Sequence, residues 1–241
     1  MSVRRTRRAL VAVAAAGLIG LAAVGCSSGD GGSRGAADRV AAAPEAHAAT
    51  LSVLPSAVEG TKIVVGDADA PRTVTVYADP RCPHCAEFEA SGGTVLAERA
   101  ARGELKVEYV VASFLDARTG GTASARAANA LRAAADAGPG KFAAFQAALF
   151  ASQPADGTED AFTADHLLRI AGRVEGLRSD AFDAAVRDGS HRAWVAAAER
   201  AFQDSGVGGT PSVVVDGKAL DAGTGLYDAG AFGRILDRAR G

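Results

Sequence analysis

Arg81-Cys82-Pro83-His84-Cys85 holds two of the three cysteines in this 241-residue chain, between a run of β-branched residues and a helical pattern. A thiol acts as a nucleophile only as thiolate. A Cys-X-X-Cys pair that opens a helix sets its first sulfur beside unpaired N–H groups and the positive end of the helix dipole. Cys82 is therefore the candidate nucleophile. Cys85, three residues on, lies one turn away on the same face, so it can attack a mixed disulfide at Cys82 and release the partner. Pro83 suits the first helical turn, where its missing N–H costs little. His84 and Arg81 can each supply positive charge beside the thiolate, and both are expected to depress the Cys82 pKa.

Other uses of the pair are weaker. Tetrahedral zinc needs four ligands, and His47, His84, His166 and His191 supply no His-X-X-X-His spacing, nor is there a second cysteine pair. A structural disulfide closing so short a loop removes little unfolded-state entropy. Redox chemistry remains, and it calls for no metal and no cofactor.

Several elements must position these cysteines. Thr61 to Val65 reads as a short strand, ended by Gly66-Asp67 and Asp69-Ala70-Pro71. Thr73-Val74-Thr75-Val76-Tyr77 is a second strand leading straight into the cysteines. The helix from Cys82 carries Phe88 and is expected to break at Gly92-Gly93, with a second helical piece running to Arg102-Gly103. Leu105 to Val111 is the next strand, and this β-α-β order makes it parallel to the strand before the cysteines. From about 119 to 205 the period is helical. The expected helices lie around Ala123–Ala134 and Lys141–Ala151, then after caps at Thr163 and Ser179, then around Trp194–Phe202. Trp194 reads as packing, and His166 and His191 as solvated helix residues. The β pattern returns at Gly208 to Val215. Asp216-Gly217 signals a type I′ hairpin to Lys218–Leu220, and Asp228 can cap a last helix carrying Phe232, Ile235 and Leu236. Gly206-Val207-Gly208-Gly209 precedes a strand, so it is not a nucleotide-binding fingerprint.

This order, with Cys82-Pro83-His84-Cys85 and Gly209-Thr210-Pro211, resembles the DsbA-type thiol:disulfide oxidoreductases. The resemblance runs from about Thr61 to the C-terminus. It implies an α/β thioredoxin fold, a mixed sheet flanked by helices, with a helical insertion between the second and third core strands. It also implies a cis Thr210–Pro211 bond, with Thr210 offering main-chain hydrogen bonds to an extended substrate and Pro211 keeping an N–H away from the sulfurs. Many relatives place a buried acid six positions before the first cysteine. Here that position is Val76; Asp79, three positions before Cys82, is the candidate for assisting proton transfer, while Asp79-Pro80 before a helix also reads as simple turn chemistry.

The chain's beginning reads as targeting. Arg4, Arg5, Arg7 and Arg8 precede an uncharged apolar run, Leu10 to Val24, shorter than the roughly 20 residues of a spanning helix. Residues 1–25 are expected to be a signal peptide. Ala23-Val24-Gly25-Cys26 resembles a bacterial lipobox, which would make Cys26 the lipidated N-terminus; Ala23 stands where leucine is usual, so ordinary cleavage and secretion is the alternative. Thr6-Arg7-Arg8-Ala9-Leu10-Val11 also resembles a twin-arginine signal, leaving the export route open. Residues 26–50, rich in Ser, Gly and Ala, read as a flexible tether, and 51–241 as one globular domain. Residues 1–25 hold four of the 26 basic residues and no acidic one, so the remainder carries 22 basic against 28 acidic residues, a net −6. No basic stripe points to nucleic acid, and membrane attachment would come from lipid alone.

The functional expectation is an extracytoplasmic oxidase that donates the Cys82–Cys85 disulfide to substrate proteins, its partners being reduced or misoxidised exported proteins and a membrane redox partner that resets it. A reductase or isomerase would use the same residues. A binding lipoprotein with incidental cysteines is the rival from another class. Anchoring has its own test: mass spectrometry of the mature protein should find lipid on Cys26, and Cys26→Ala should release the protein from membranes with its redox activity in vitro intact. A bare or removed Cys26 refutes it.

Overall fold

The computed structural model describes residues 45–154 and 161–239, with side chains from residue 49 onward. The expected signal peptide, the expected lipobox and Cys26 lie outside the described residues, and His47 lies outside the described side chains. No helix among the described residues is long and apolar enough to cross a membrane.

The described chain begins with α1 (Glu45–Ser52), followed by β1 (Ser56–Glu59), β2 (Lys62–Val65) and β3 (Thr73–Ala78). The cysteine loop leads into α2 (Pro83–Glu89) and α3 (Gly92–Ala101), and β4 (Lys106–Val111) follows. Then come α4 (Phe114–Thr119), α5 (Ala123–Asp136), α6 (Lys141–Ala151), α7 (Ala164–Ala171), α8 (Asp180–Asp188) and α9 (Arg192–Asp204). The chain ends with β5 (Ser212–Val215), β6 (Lys218–Ala219), a 3-10 turn at Gly223–Tyr227 and α10 (Ala229–Arg238).

The strands form one mixed sheet in the order β1-β2-β4-β3-β5-β6. The β-branched run before the cysteines becomes the central strand β3, parallel to β4 and antiparallel to β5. Val74 and Val76 are nearly inaccessible to solvent, as expected of a strand covered on both faces. The register sets Tyr77 opposite Ser212. Pro211 and Thr210 therefore lie at the end of β3 from which the cysteine loop departs, although they are more than a hundred residues away in sequence. This is the expected thioredoxin fold, with α4 to α9 inserted between β4 and β5.

Local signals account for many of the boundaries. The side chains of Thr163, Ser179 and Asp228 accept from the N–H groups of His166, Phe182 and Ala231 as N-caps, each worth about 1 kcal/mol. Asp216 and Gly217 both have positive φ, at 48° and 80°, as a type I′ hairpin requires. The start of α5 has a cap no local pattern reveals: the Asp116 carboxylate accepts from the N–H groups of Ser124 and Ala125, both at 2.9 Å.

Several expectations need correction. The segment read as tether up to Thr50 is helical from Glu45, and Leu51 and Leu54 behind it are buried in the core. An extra strand, β1, precedes the first one expected. Gly92-Gly93 is not the break between helices; that falls at Ala90-Ser91, and both glycines lie buried in the first turn of α3. They are glycines because of close approach: a Cβ on Gly92 would intrude on the Phe88 ring and lie 2.9 Å from the Leu226 carbonyl oxygen. His166 is not solvated but 1% exposed, its Nδ1 2.6 Å from the Ala161 carbonyl oxygen. His191 is half-buried at the start of α9, with Nε2 3.5 Å from the Asp136 carboxylate. Trp194 packs against the core as expected, and its indole N–H donates to Gly60 O at 2.8 Å.

Gly92→Ala should destabilise the fold by about 1–3 kcal/mol through overpacking. A lower midpoint of urea unfolding with unchanged slope checks it, whereas an unchanged midpoint contradicts the close packing of α2, α3 and the 223–227 turn.

Candidate active site

Cys82 is the N-cap residue of α2 and Pro83 its first helical residue, so the strand β3 delivers the first sulfur to the open end of a helix. Both cysteines are free thiols and both are buried, Cys85 more completely. They differ in chemistry. The Cys85 side chain hydrogen-bonds to the Cys82 sulfur and is the largest influence lowering its pKa, to about 6. Burial opposes the shift, while Thr210 and the main-chain N–H groups of Cys85 and His84 support it. Cys85 moves the other way. Burial, then the hydrogen bond and charge at Cys82, hold its pKa well above the ordinary thiol value. One proton is thus retained on the inner sulfur while the outer one ionises.

Thr210 closes the site from the opposite side, and the Thr210–Pro211 peptide is cis. The Thr210 carbonyl oxygen lies 3.3 Å from the Cys82 sulfur and accepts from the protonated thiol. The Thr210 hydroxyl oxygen is buried without a hydrogen-bond partner in the reduced protein. It is placed to stabilise negative charge on either sulfur.

The charged neighbours expected from sequence act differently. Arg81 is buried, and its guanidinium donates to Gly120 O at 2.8 Å and to the Asp116 carboxylate at 3.3 Å. These bonds tie the cysteine loop to α4 and to the turn that follows it. The exposed His84 ring lies 3.2 Å from the Glu87 carboxylate and 5.9 Å from the Tyr227 ring centroid, so what His84 offers Cys82 here is a main-chain N–H. Tyr227 itself was not singled out by sequence. Its phenol pKa is raised by burial first and then by negative charge at Cys82, Glu87 and Cys85, which places it at the rim of the site.

Two long-range contacts also hold the cysteine loop. The Gln153 amide, just past α6, donates to the carbonyls of Pro80 at 2.7 Å and Cys82 at 3.1 Å. The Asp79 carboxylate accepts from Arg81 N, Leu115 N and the Ser124 hydroxyl. The helical block thereby grips the loop on two sides. Neither contact could be read from sequence, because each joins residues tens of positions apart. No group of three or more His, Cys, Asp or Glu that could hold a metal ion occurs among the described residues.

Comparison with known proteins agrees with this geometry. Residues 58–233 match the family model described as thioredoxin. Among solved structures, the chain is similar to MdbA, a thiol-disulfide oxidoreductase from Corynebacterium diphtheriae, at 21% identity over 77% of this chain and 94% of that one, with a TM-score of 0.63. It is similar to BdbD from Bacillus subtilis at 22% identity over 79% and 99%, with a TM-score of 0.62. It is also similar to DsbA from Mycobacterium tuberculosis at 22% identity over 77% and 99%, with a TM-score of 0.55. No curated protein matches the chain. The family match spans most of the chain and takes in both cysteines and the Thr210–Pro211 loop: the protein belongs to the thioredoxin family.

Proposed function

We propose that this protein is an extracytoplasmic thiol:disulfide oxidoreductase working as an oxidase, with Cys82 as the attacked sulfur and Cys85 as the resolving one. The observation that carries the reading is the opposed pair of thiols, Cys82 lowered to about 6 and Cys85 raised. Whatever stabilises the reduced pair favours giving the disulfide away. The related structures of MdbA, BdbD and DsbA add support.

In the proposed reaction a substrate thiolate attacks Cys82 Sγ of the disulfide. A substrate–Cys82 bond forms, the Cys82–Cys85 bond breaks, and Cys85 leaves and takes up a proton, as its raised pKa favours. A second substrate thiolate attacks the first substrate sulfur, and Cys82 leaves as thiolate. The substrate gains a disulfide and gives up two electrons, and the protein ends as thiolate and thiol. The low pKa makes Cys82 a good leaving group in the second step. Thr210 offers its main chain to the substrate backbone, and the partly buried Tyr77, Phe114 and Val207 add apolar surface from the same end of the sheet. The substrates are reduced exported proteins. A membrane oxidant that accepts the two electrons resets the pair, and lipid on Cys26 would keep the domain near it.

Cys82→Ser should abolish oxidative refolding of a reduced substrate protein. Cys85→Ser should accumulate mixed disulfides, because the resolving thiol is gone. A binding module would lose nothing in either variant, and a reductase would show its activity only with added reductant.

The pH dependence has a defined sign. Because the Cys82 pKa is depressed when folded, its contribution to the reduced form is full above the unfolded value near 8.5 and is lost as pH falls through about 6. At pH 7 it amounts to about 1.4 kcal/mol, one pH unit above the folded value. Alkylation of Cys82 should titrate with a midpoint near pH 6, and reduced protein should resist denaturant better than oxidised at pH 7 and lose that advantage toward pH 5. A midpoint near 8.5 rules out the oxidase reading.

A further inference from the structure

Asp79 and Glu89 are the two buried carboxyl groups among the described residues, and Asp79 is fully inaccessible. It follows the last residue of β3 and stands three positions before Cys82. Its carboxylate accepts three hydrogen bonds from three different segments: the Arg81 N–H in the loop at 2.9 Å, the Leu115 N–H in α4 at 3.1 Å and the Ser124 hydroxyl in α5 at 2.7 Å. Its main chain serves the cysteines. The Asp79 carbonyl accepts from the Cys82 N–H at 2.9 Å, and its own N–H stabilises charge on the Cys85 sulfur.

A simple turn would need only the bond to Arg81 N, and a serine or asparagine facing solvent could make it. The two further donors come from the inserted helices, and the group is held without water access at a cost. Burial raises its pKa to about 6, with the Asp116 charge adding to the rise and the three donors opposing it. Arg81, Asp116, Cys82 and Cys85 are the titratable or charged groups gathered around it. A carboxyl that makes the fold less stable at neutral pH yet joins two helices to the cysteine loop is placed for function more than for stability.

We propose that Asp79 is the positioning residue of the thiol pair, and that through it α4 and α5 set how strongly Cys85 stabilises the Cys82 thiolate. The inference rests on the oxidoreductase reading for its importance and deepens it. The Cys85-to-Cys82 hydrogen bond is the largest influence on Cys82. It depends on where two sulfurs at the start of a seven-residue helix are held. Asp79 fixes that start from both ends: its carbonyl pins the N-cap residue, its N–H meets the inner sulfur, and its carboxylate keeps it from moving relative to α4 and α5. In the thiolate form, with Cys82 unprotonated, the grip matters most, since the Cys85 thiol then carries the only proton shared by the sulfurs.

Asp79→Asn tests this with little change in volume. The amide oxygen can still accept from Ser124 and Arg81, but the NH₂ faces the Leu115 N–H donor to donor, so the hold on α4 is lost. The expected result is a Cys82 alkylation midpoint higher by about one pH unit, roughly tenfold less thiolate below pH 6, and a thiol–disulfide equilibrium with glutathione shifted about tenfold, or about 30 mV more reducing. The variant should be at least as stable as wild type at pH 7, since no ionised carboxylate is then buried. A merely structural Asp79 predicts the reverse, lost stability with an unchanged midpoint, and that result overturns the proposal. So does a lower midpoint, which would make Asp79 a repelling charge instead of a clamp. Ser124→Ala, which removes one donor and keeps the carboxylate, should shift the midpoint in the same direction by less, and it decides the question if the Asn variant does not fold. Oxidative refolding by wild type is measured alongside: an inactive wild type sinks the oxidase reading while the alkylation results still judge the role of Asp79.

Discussion

The arrangement depends on one proton held between two sulfurs at the start of α2. Cys82 ionises because Cys85 keeps its hydrogen and donates it, and Cys85 keeps its hydrogen because it is the more deeply buried of the two. Burial alone would raise both pKa values, and a helix end alone would lower both. What separates them is a difference in depth of one helical turn, with the outer sulfur facing main-chain N–H groups and the Thr210 hydroxyl. The difference makes Cys82 the better leaving group and Cys85 the better proton acceptor.

Such a pair needs a rigid setting, and the sheet and the insertion supply it from opposite sides. The sheet register brings Thr210 to the sulfurs, since Tyr77 and Ser212 are partners across β3 and β5. The insertion supplies Gln153, Leu115, Ser124 and Asp116, which hold the carbonyls of Pro80 and Cys82, the carboxylate of Asp79 and the guanidinium of Arg81. The inserted helices are thus more than an added lobe. They complete the polar lining of a loop that would otherwise leave buried carbonyls unsatisfied, each at a cost of about 1–3 kcal/mol.

Buried acids set the molecule's response to pH in the sense opposite to the thiol. Glu89, bonded to Gln146 at 3.1 Å beside Tyr109, is raised by burial to about 7, and Asp79 to about 6. A raised carboxyl binds its proton more tightly when folded, so these groups remove stability as pH rises from about 4 to 7. Cys82 restores stability to the reduced form alone above about 6. The oxidised form lacks that second contribution, so the two redox states part company near neutral pH.

The sequence by itself determined most of the elements and set the two thiols at the start of a helix. The β-branched run before Cys82, the caps at Thr163, Ser179 and Asp228, and the Asp216-Gly217 hairpin are local features, fixed by side-chain size and hydrogen bonds within a few residues, and each was legible. So were the two motifs, because Cys-X-X-Cys and Thr-Pro carry their chemistry in residue type. What only the tertiary structure decided is which groups set the thiol chemistry. Arg81 and His84 looked like the charges beside Cys82, yet Arg81 turns to Asp116 and Gly120, and the His84 ring turns to Glu87. Asp79 looked like a turn residue, His166 like a solvated one and Gly92-Gly93 like a break, and all three are buried. Burial and long-range hydrogen bonds depend on which segments meet, and a pattern confined to neighbouring residues contains no term for that meeting.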